Sequence, residues 1–194
     1  MSNNSFQKPE NFKVSSRAPT KKEIRWLYKI LSSEKYSSYR GKKVLEFGCG
    51  ITSYAISQAL DPKLYIAVEN FQPCMDMCKI HIPGIQFVST DWSDIPKNKY
   101  NVVMVDASSC PPKGLKLVNA VSRQGVPVEK HAPFRDDAIN YILPYTKNTT
   151  IFICHDAFHN NPVWHMPCIF LENHGYECID SFAFKKGIAV FRKS

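Results

Sequence analysis

Acidic residues follow four apolar or β-branched segments of this 194-residue chain. Glu69, Asp91 and Asp106 each come directly after such a segment, and the pair His155-Asp156 follows a fourth. Carboxylates can accept hydrogen bonds from hydroxyl groups, bind a divalent cation, or take part in proton transfer beside a histidine. Ligands of open parallel sheets bind at the edge where the carboxyl ends of the strands meet. The spacing therefore predicts one site, with chemistry at Asp106 and at His155-Asp156.

A glycine-containing turn precedes the first of these acids. Residues 44–47 are an apolar run interrupted by Glu46, Gly48-Cys49-Gly50 forms the turn, and a helical pattern follows over residues 54–60. Strand, glycine turn and helix in this order let backbone N–H groups approach a nucleotide-like ligand without a Cβ atom in the way. Glu69 lies 19 residues beyond Gly50, where the end of a second strand offers a carboxylate to ribose hydroxyls.

Strand and helix patterns alternate along the rest of the chain. Strands are predicted over residues 85–90, 100–105 and 149–154, and helices over 73–80, 134–143 and 162–173, with Gly175 as the last C-cap. Two segments flanking the turn Lys185-Lys186-Gly187 are predicted to form a terminal β-hairpin. The alternation predicts an α/β chain with a parallel sheet.

The length of the chain predicts one domain, over residues 20–194, preceded by a polar, flexible N-terminal arm over residues 1–19. Thr20 and Glu23 form a capping box at the start of a helix that we expect to pack on the sheet edge. The sequence has no membrane-length apolar run and no signal-like segment, which predicts a cytoplasmic protein. Its seven cysteines are therefore interpreted as reduced thiols.

The formal net charge of +8 indicates either an acidic partner or a solvated basic surface, and charge alone does not decide between them. A nucleic acid, a phosphorylated metabolite or an acidic sugar would each suit the first interpretation. Along the sequence, aromatic residues are not interleaved with basic ones in the manner of a platform that stacks single-stranded bases.

The segment from Glu46 to Gly50, followed by Glu69, resembles the first motif and second acid of the class I S-adenosylmethionine-dependent methyltransferases. Thr52 stands where that family has a third glycine. The resemblance covers about three quarters of the chain, from roughly Lys42 to the end. It implies a three-layer α/β sandwich, with a mostly parallel seven-stranded sheet and a C-terminal antiparallel hairpin, and S-adenosyl-L-methionine as cofactor.

Carried over residue by residue, the resemblance implies a cofactor site at the glycine turn. Gly48, Cys49 and Gly50 are expected to line the methionine moiety and the ribose. Glu46 is expected to organise the turn through hydrogen bonds to backbone N–H groups or to water.

The resemblance places the ribose and adenine farther along the same edge. Glu69 is expected to accept from the ribose hydroxyls, since a carboxylate offers paired acceptors. Asp91 is expected to accept from the adenine amino group, and Trp92 or Phe71 to supply an apolar wall for the ring. Asn70, next to Glu69, and Asp106 belong to the same predicted cofactor-binding set.

The acceptor is expected beside Asp106, His155, Asp156 and His159. Two neighbouring carboxylates repel unless a positive group lies between them. One solution is a divalent cation such as magnesium held by Asp106 and Asp156, which resembles the catechol-type O-methyltransferases, although Ala157 replaces a family asparagine. Further donors downstream are His159, Asn160 and His165. The other solution is an aspartate carboxyl group paired with a histidine, which together act as general base.

The most specific functional prediction is methyl transfer to a hydroxyl of a small molecule or sugar. The long segment after Asp106 is expected to set substrate choice, and its candidate receptors for an acidic group are Arg123, Lys130, His131 and Arg135. A narrower resemblance, to glucuronoxylan O-methyltransferases, suggests an acidic sugar. The alternatives are a nucleic-acid methyltransferase, although the usual motifs after Asp106 are missing, and a non-catalytic subunit that binds the cofactor. The sequence does not predict an oligomeric state.

Overall fold

The computed structural model describes residues 6–12, 18–69, 71–88, 92–106, 133–158 and 166–194. Within these ranges helices and strands alternate, as the sequence predicts. The helices are α1 (Lys21–Leu31), α2 (Ile51–Leu60), α3 (Gln72–His81), α4 (Pro133–Ile142) and α5 (Met166–Asn173). The strands are β1 (Lys43–Phe47), β2 (Leu64–Val68), β3 (Ile85–Val88), β4 (Val102–Val105), β5 (Ile151–His155), β6 (Tyr176–Phe182) and β7 (Ile188–Lys193). Short 3₁₀ turns lie at Glu34–Tyr39, Trp92–Asp94 and Leu143–Tyr145.

The described strands form one seven-stranded sheet in the order β3-β2-β1-β4-β5-β7-β6. Strands β1 to β5 pair in parallel, whereas β7 pairs antiparallel with both β5 and β6. The four residues of β4 are all buried, as expected for a strand covered by helices on both faces. The predicted mixed sheet with its terminal antiparallel hairpin is therefore confirmed.

Two apolar layers cover the sheet. Leu27 of α1, Ile56 of α2 and Cys78 of α3 pack on one face, together with Val44 and Ile153 of the strands. On the other face, α4 and α5 bury a second set that includes Ile139, Leu171, Phe47 and Phe152. Because successive residues of a strand point to opposite faces, neighbouring apolar residues of one strand contribute to different layers. The result is the predicted three-layer sandwich.

Two predicted strands begin later than expected. The sequence predicts residues 100–101 and 149–150 as strand, but β4 begins at Val102 and β5 at Ile151. The cause is the side chain of Thr150, whose hydroxyl donates to the carbonyl oxygen of Tyr100 at 2.7 Å and accepts from the N–H of Lys147 at 2.9 Å. The bond with Lys147 holds the chain in a turn at the amino end of β5, and the bond with Tyr100 ties that turn to the segment before β4.

The capping box of α1 is present as predicted. The N–H of Glu23 donates to Oγ1 of Thr20 at 3.3 Å, and the N–H of Thr20 donates to the Glu23 carboxylate at 2.5 Å. The helix packs against α2 through Ile24, Leu27 and Leu31, which are buried.

Part of the predicted N-terminal arm lies against the domain. Phe12 is only 2% exposed, and its ring centroid lies 5.9 Å from that of Tyr54 and 5.3 Å from that of His81. Burial of this aromatic ring offsets the entropy that an unattached segment would keep. Residues 6–12 therefore contact α2 and α3, and the boundary between arm and domain stays a prediction.

Two further sequence predictions bear on the described residues. None of the described helices combines the length and the apolar composition that a bilayer-spanning segment needs. The six cysteines in the described ranges are all free thiols, as expected for reduced side chains.

Candidate functional site

The glycine turn joins β1 to α2 and has the conformation that its sequence predicts. Gly48 has φ of +86°, which L-residues with a side chain adopt only at a cost, and its N–H donates to the carbonyl oxygen of Val68 at 2.9 Å. Helix α2 starts at Ile51, three residues earlier than predicted, with Gly50 as its N-cap. The turn thus lies at the carboxyl edge of the sheet between β1 and β2.

Glu46 contacts the glycine turn from within the protein core. It is fully buried, and its carboxylate accepts from the hydroxyls of Thr52 at 2.8 Å, Ser53 at 2.5 Å and Tyr65 at 2.8 Å. The hydroxyl of Ser53 in turn accepts from the N–H of Gly50 at 2.9 Å. The contact of Glu46 with the turn therefore runs through side-chain hydroxyls in place of direct bonds to backbone N–H groups, and the predicted contact with water stays a prediction.

Burial dominates the electrostatics of Glu46. Removal of the carboxylate from water raises its pKa from 4.5 to about 8, although the hydrogen bonds from Ser53, Tyr65 and Thr52 act in the opposite direction. The same burial, with the nearby Glu46, raises the pKa of the Tyr65 phenol, which stays protonated as a donor.

Glu69 lies at the end of β2, directly beside the turn. One carboxylate oxygen accepts from the N–H of Cys49 at 3.1 Å and the other from the N–H of Phe71 at 2.8 Å. Glu69 is 5% exposed, and the backbone N–H groups of Cys49 and Phe71 fix the position of its carboxylate. These two bonds orient the Glu69 carboxylate at the end of β2, and an ionised carboxylate offers two acceptor oxygens.

The thiol of Cys49 faces α3. Its hydrogen bond with Cys78, and then burial, raise the pKa of the Cys49 thiol, while the Cys78 thiol contacts the carbonyl oxygen of Gly50 at 3.8 Å. A protonated, buried thiol is a weak nucleophile. Cys49 therefore presents its backbone, and not a reactive sulfur, to the turn.

The two aromatic candidates for the adenine wall differ in exposure. Phe71 is 49% exposed at the start of α3, whereas Trp92 is 6% exposed. The Trp92 ring packs in the core at 5.5 Å from the rings of both Phe47 and Tyr141. Of the two, the structure makes Phe71 accessible and gives Trp92 a packing role. Asn70 and Asp91 lie outside the described residues.

Three of the four predicted catalytic residues, Asp106, His155 and Asp156, meet at the ends of β4 and β5. The two strands are neighbours, and Val105 of β4 lies opposite Cys154 of β5. Asp106 and His155, the residues that follow these two, are in direct contact. Nδ1 of His155 lies 2.7 Å from Oδ1 of Asp106 and 3.5 Å from Oδ1 of Asp156. An ionised carboxylate only accepts, so the shorter contact implies that Nδ1 carries the proton.

Asp106 is the most accessible member of this group. Its side chain is 22% exposed, against 1% for His155 and 7% for Asp156. Asp156 has φ of +61°, an uncommon conformation outside glycine that aspartate tolerates better than most residues. Nδ1 of the buried imidazole thus faces both carboxylates, and Asp106 is the one that solvent reaches more.

Asp106, His155 and Asp156 offer ligand atoms within 4.8 Å of one another. Magnesium demands near-octahedral oxygen coordination and retains several waters. Here a ring nitrogen lies at direct hydrogen-bond distance from Asp106, and the ammonium of Lys186 lies 3.6 Å from Asp156. The described side chains therefore fit a hydrogen-bonded charge network better than a magnesium centre. His159, Asn160 and His165 lie outside the described ranges, as do Arg123, Lys130 and His131.

Sequence reasoning missed the contribution of the β6–β7 turn to this site. The N–H of Phe158 donates to the carbonyl oxygen of Lys186 at 2.7 Å, and the N–H of Gly187 donates to the Glu23 carboxylate at 2.8 Å. The turn is thereby bonded to the loop after Asp156 and to α1. The capping box and the turn were each visible in the sequence, but no local signal linked residues 164 positions apart.

Comparison with known proteins gives one partial sequence match and several likenesses of fold. No family model matches the chain. The probable phthiotriol/phenolphthiotriol dimycocerosates methyltransferase 2 of Mycobacterium ulcerans (strain Agy99) is 33% identical over 90 residues, which make up 43% of this chain and 35% of that relative. The match thus spans much less than two thirds of the relative.

Solved structures resemble the chain over most of its length. A candidate caffeoyl-CoA O-methyltransferase from Staphylococcus aureus has a TM-score of 0.59 at 12% identity, covering 91% of this chain and 85% of its own. The Podospora anserina methyltransferase PaMTH1, solved with S-adenosylhomocysteine bound, gives 0.56 at 12% identity, with 92% and 80% covered. The B. subtilis tRNA methyltransferase TrmK gives 0.53 at 10% identity, with 95% and 68% covered. The chain has the fold of the class I S-adenosylmethionine-dependent methyltransferases.

Proposed function

We propose that this protein transfers a methyl group from S-adenosylmethionine to a hydroxyl of a small molecule or sugar. The observation that carries the proposal is the Glu69 carboxylate, which the N–H groups of Cys49 and Phe71 hold beside the glycine turn. A fixed pair of acceptor oxygens at the end of the second strand suits the two hydroxyls of a ribose.

The cofactor-binding part of the proposal assigns roles along the edge of the sheet. The backbone of Gly48, Cys49 and Gly50 lines the methionine moiety and ribose, and Glu46 keeps that backbone in place through Ser53. The accessible ring of Phe71 covers the adenine. Asn70 and Asp91 remain predicted contacts to the ribose and adenine regions.

The acceptor part of the proposal uses Asp106 and His155. S-adenosylmethionine supplies an activated methyl group: a bond forms from the acceptor oxygen to the methyl carbon, and the carbon–sulfur bond breaks with its electron pair left on sulfur. Asp106, as the solvent-side carboxylate, accepts a hydrogen bond from the acceptor hydroxyl. The hydroxyl proton passes to the Asp106–His155 pair, in which the buried imidazole orients the carboxylate and stabilises its charge.

Two observations favour this pair over a magnesium-assisted reaction. Nδ1 of His155 already lies within 3.5 Å of an oxygen of each carboxylate, and Lys186 supplies positive charge near Asp156. Both groups relieve the repulsion that would otherwise call for a divalent cation. Asp156 then has a structural role in the network, and His159 stays a predicted participant.

Calorimetry with S-adenosylhomocysteine, with NAD as the competing nucleotide, tests the proposal. We expect micromolar binding of S-adenosylhomocysteine and no binding of NAD. Incubation with cofactor labelled in the methyl group and pooled hydroxyl compounds, RNA and protein then identifies the acceptor class. Binding of NAD without S-adenosylhomocysteine would contradict the proposed function.

A further inference from the structure

Two exposed lysines near the candidate acceptor site have no carboxylate within salt-bridge distance in the described ranges. They are Lys22, in the first turn of α1, and Lys185, in the β6–β7 turn. The ion pairs of the described residues instead use Lys35, His155, Lys186 and Arg192. The net charge of +8 means that cations outnumber carboxylates over the chain as a whole.

Contacts between α1 and the hairpin bring the two lysines to the same region. The ammonium of Lys22 lies 4.8 Å from the centroid of the Phe184 ring, next to Lys185 in the chain. One helical turn later, Trp26 stacks on Phe182 with centroids 5.5 Å apart. The helix therefore runs beside the end of β6, with its first turn against the β6–β7 turn.

This region borders the carboxyl edge of β5, where the reaction is proposed to occur. Ile188 pairs with His155 on one side and with Phe182 on the other, so the turn and the Asp106–His155 pair share one edge of the sheet. The Lys186 ammonium contacts Asp156 at 3.6 Å and is thereby engaged within the site. Lys22 and Lys185 are exposed, and they belong to α1 and to the β6–β7 turn, which border this edge.

The aromatic residues of this region indicate the size of the partner. Trp26 stacks on Phe182, Phe182 contacts Phe184 with centroids 5.9 Å apart, and Lys22 covers the ring of Phe184. These rings are engaged with one another and with a lysine, and they do not form separate platforms for successive bases. The arrangement suits a small anion better than a single-stranded nucleic acid.

We propose that the methyl acceptor carries an anionic group, a carboxylate or phosphate, that Lys22 and Lys185 bind while its hydroxyl lies at Asp106. This inference rests on the proposed function and adds the charge class of the acceptor. Ammonium groups form charge-assisted hydrogen bonds to such anions, and binding there anchors the acceptor beside the reacting edge.

Matched probes test the proposal in the presence of S-adenosylhomocysteine. The ¹⁵N-labelled protein is titrated with glucuronate against glucose, 4-hydroxybenzoate against 4-hydroxybenzamide, and inorganic phosphate, while the amide signals of residues 184–187 are followed. The variant Lys22→Gln/Lys185→Gln is compared with Lys29→Gln/Lys63→Gln. The second variant removes the same charge at exposed positions, one of them about 10 Å farther along α1.

We expect the anionic probes to shift these signals and the neutral ones to leave them unchanged. The first variant should weaken anion binding at least tenfold, and the second less than twofold. Any probe that is methylated should show a raised KM and a nearly unchanged kcat in the first variant.

Equal binding of the neutral probes, no shift with any anion, or an intact affinity in the first variant would overturn the inference. Tight RNA binding whose affinity falls steeply with salt would replace it with a nucleic-acid acceptor. If S-adenosylhomocysteine itself does not bind, the proposed function fails. If it binds and only neutral compounds are methylated, the inference alone fails.

Discussion

Nδ1 of His155 lies 2.7 Å from Oδ1 of Asp106, and this contact joins the ends of β5 and β4. The histidine is 1% exposed and the aspartate 22%, so the imidazole supports a carboxylate that solvent can reach. Pairing of this kind orients the carboxylate and leaves the imidazole able to share a proton.

Replacement of Asp106 by Asn should remove the proton acceptor. We expect kcat to fall about 10²–10⁴-fold, while affinity for S-adenosylhomocysteine changes less than twofold. His155→Gln should lower kcat as well, because the carboxylate loses its buried partner. Asp76→Asn, at an exposed position on α3, is the matched control and should leave turnover unchanged.

Chelation distinguishes a reaction assisted by a divalent cation from one that uses the Asp106–His155 pair as base. EDTA should leave turnover intact, because Nδ1 of His155 and the ammonium of Lys186 already lie beside the carboxylates. Abolition of turnover by EDTA, with recovery on addition of magnesium, would show instead that a cation shares Asp106 and Asp156.

Glu69→Ala should weaken binding of S-adenosylhomocysteine about tenfold or more. The variant loses charge-assisted hydrogen bonds of ~1.5–3 kcal/mol and the orientation of the turn through Cys49. Calorimetry measures the affinity, with exposed Glu177→Ala as control. An unchanged affinity in a folded Glu69 variant would remove this residue from the cofactor site.

Glu46 should make stability depend on pH. Its pKa rises from 4.5 to about 8 on folding, so the folded protein holds a proton that the unfolded chain releases in this range. The stabilisation is fully present below about pH 4.5 and is lost as pH rises through about 8.

Urea unfolding across that range measures this effect. Glu46→Gln, which cannot ionise, should flatten the decline in the free energy of unfolding between pH 5 and 8. Exposed Glu34→Gln should keep the wild-type slope. The same slope in Glu46→Gln and wild type would assign the pH dependence to other groups.

Gly187→Ala should destabilise the protein by about 2–4 kcal/mol, as the sum of an unfavourable backbone conformation and a steric clash. Gly187 has φ of +71°, and an added Cβ would lie 2.4 Å from Cδ2 of Phe158 and 2.8 Å from the carbonyl oxygen of Phe182. Gly84→Ala is the matched control, because φ is +78° and no atom lies within 4 Å of its added Cβ.

Chemical denaturation should therefore separate these two variants. We expect Gly84→Ala to cost only about 1–2 kcal/mol, for the backbone conformation alone. Equal losses in the two variants would mean that the turn adjusts to the added methyl group without disturbing Phe158.

Most of the fold could be predicted from the sequence because its signals are local. The buried run of β4, the glycine turn at Gly48 and the capping box at Thr20 each depend on a few consecutive residues. The meeting of Asp106 with His155 also followed, since adjacent parallel strands end at one edge. These features need only backbone conformation and the order of strands.

The tertiary structure alone decided which candidate side chains are accessible and which are buried in the core. Trp92 and Phe71 were equal candidates in the sequence, but the core between Phe47 and Tyr141 takes one ring and leaves the other exposed. Residue type does not tell the two apart, because exposure depends on what packs opposite each ring.

The tertiary structure likewise brought the β6–β7 turn to the site. The bond from Gly187 to Glu23 and the contact of Lys186 with Asp156 connect segments that are far apart in the chain. Such contacts leave no periodicity or motif in the sequence, since they depend on how α1 and the hairpin pack against the sheet. The sequence by itself therefore determined the strands, the turn and the acids at the strand ends, and the packing of distant elements decided the charges around them.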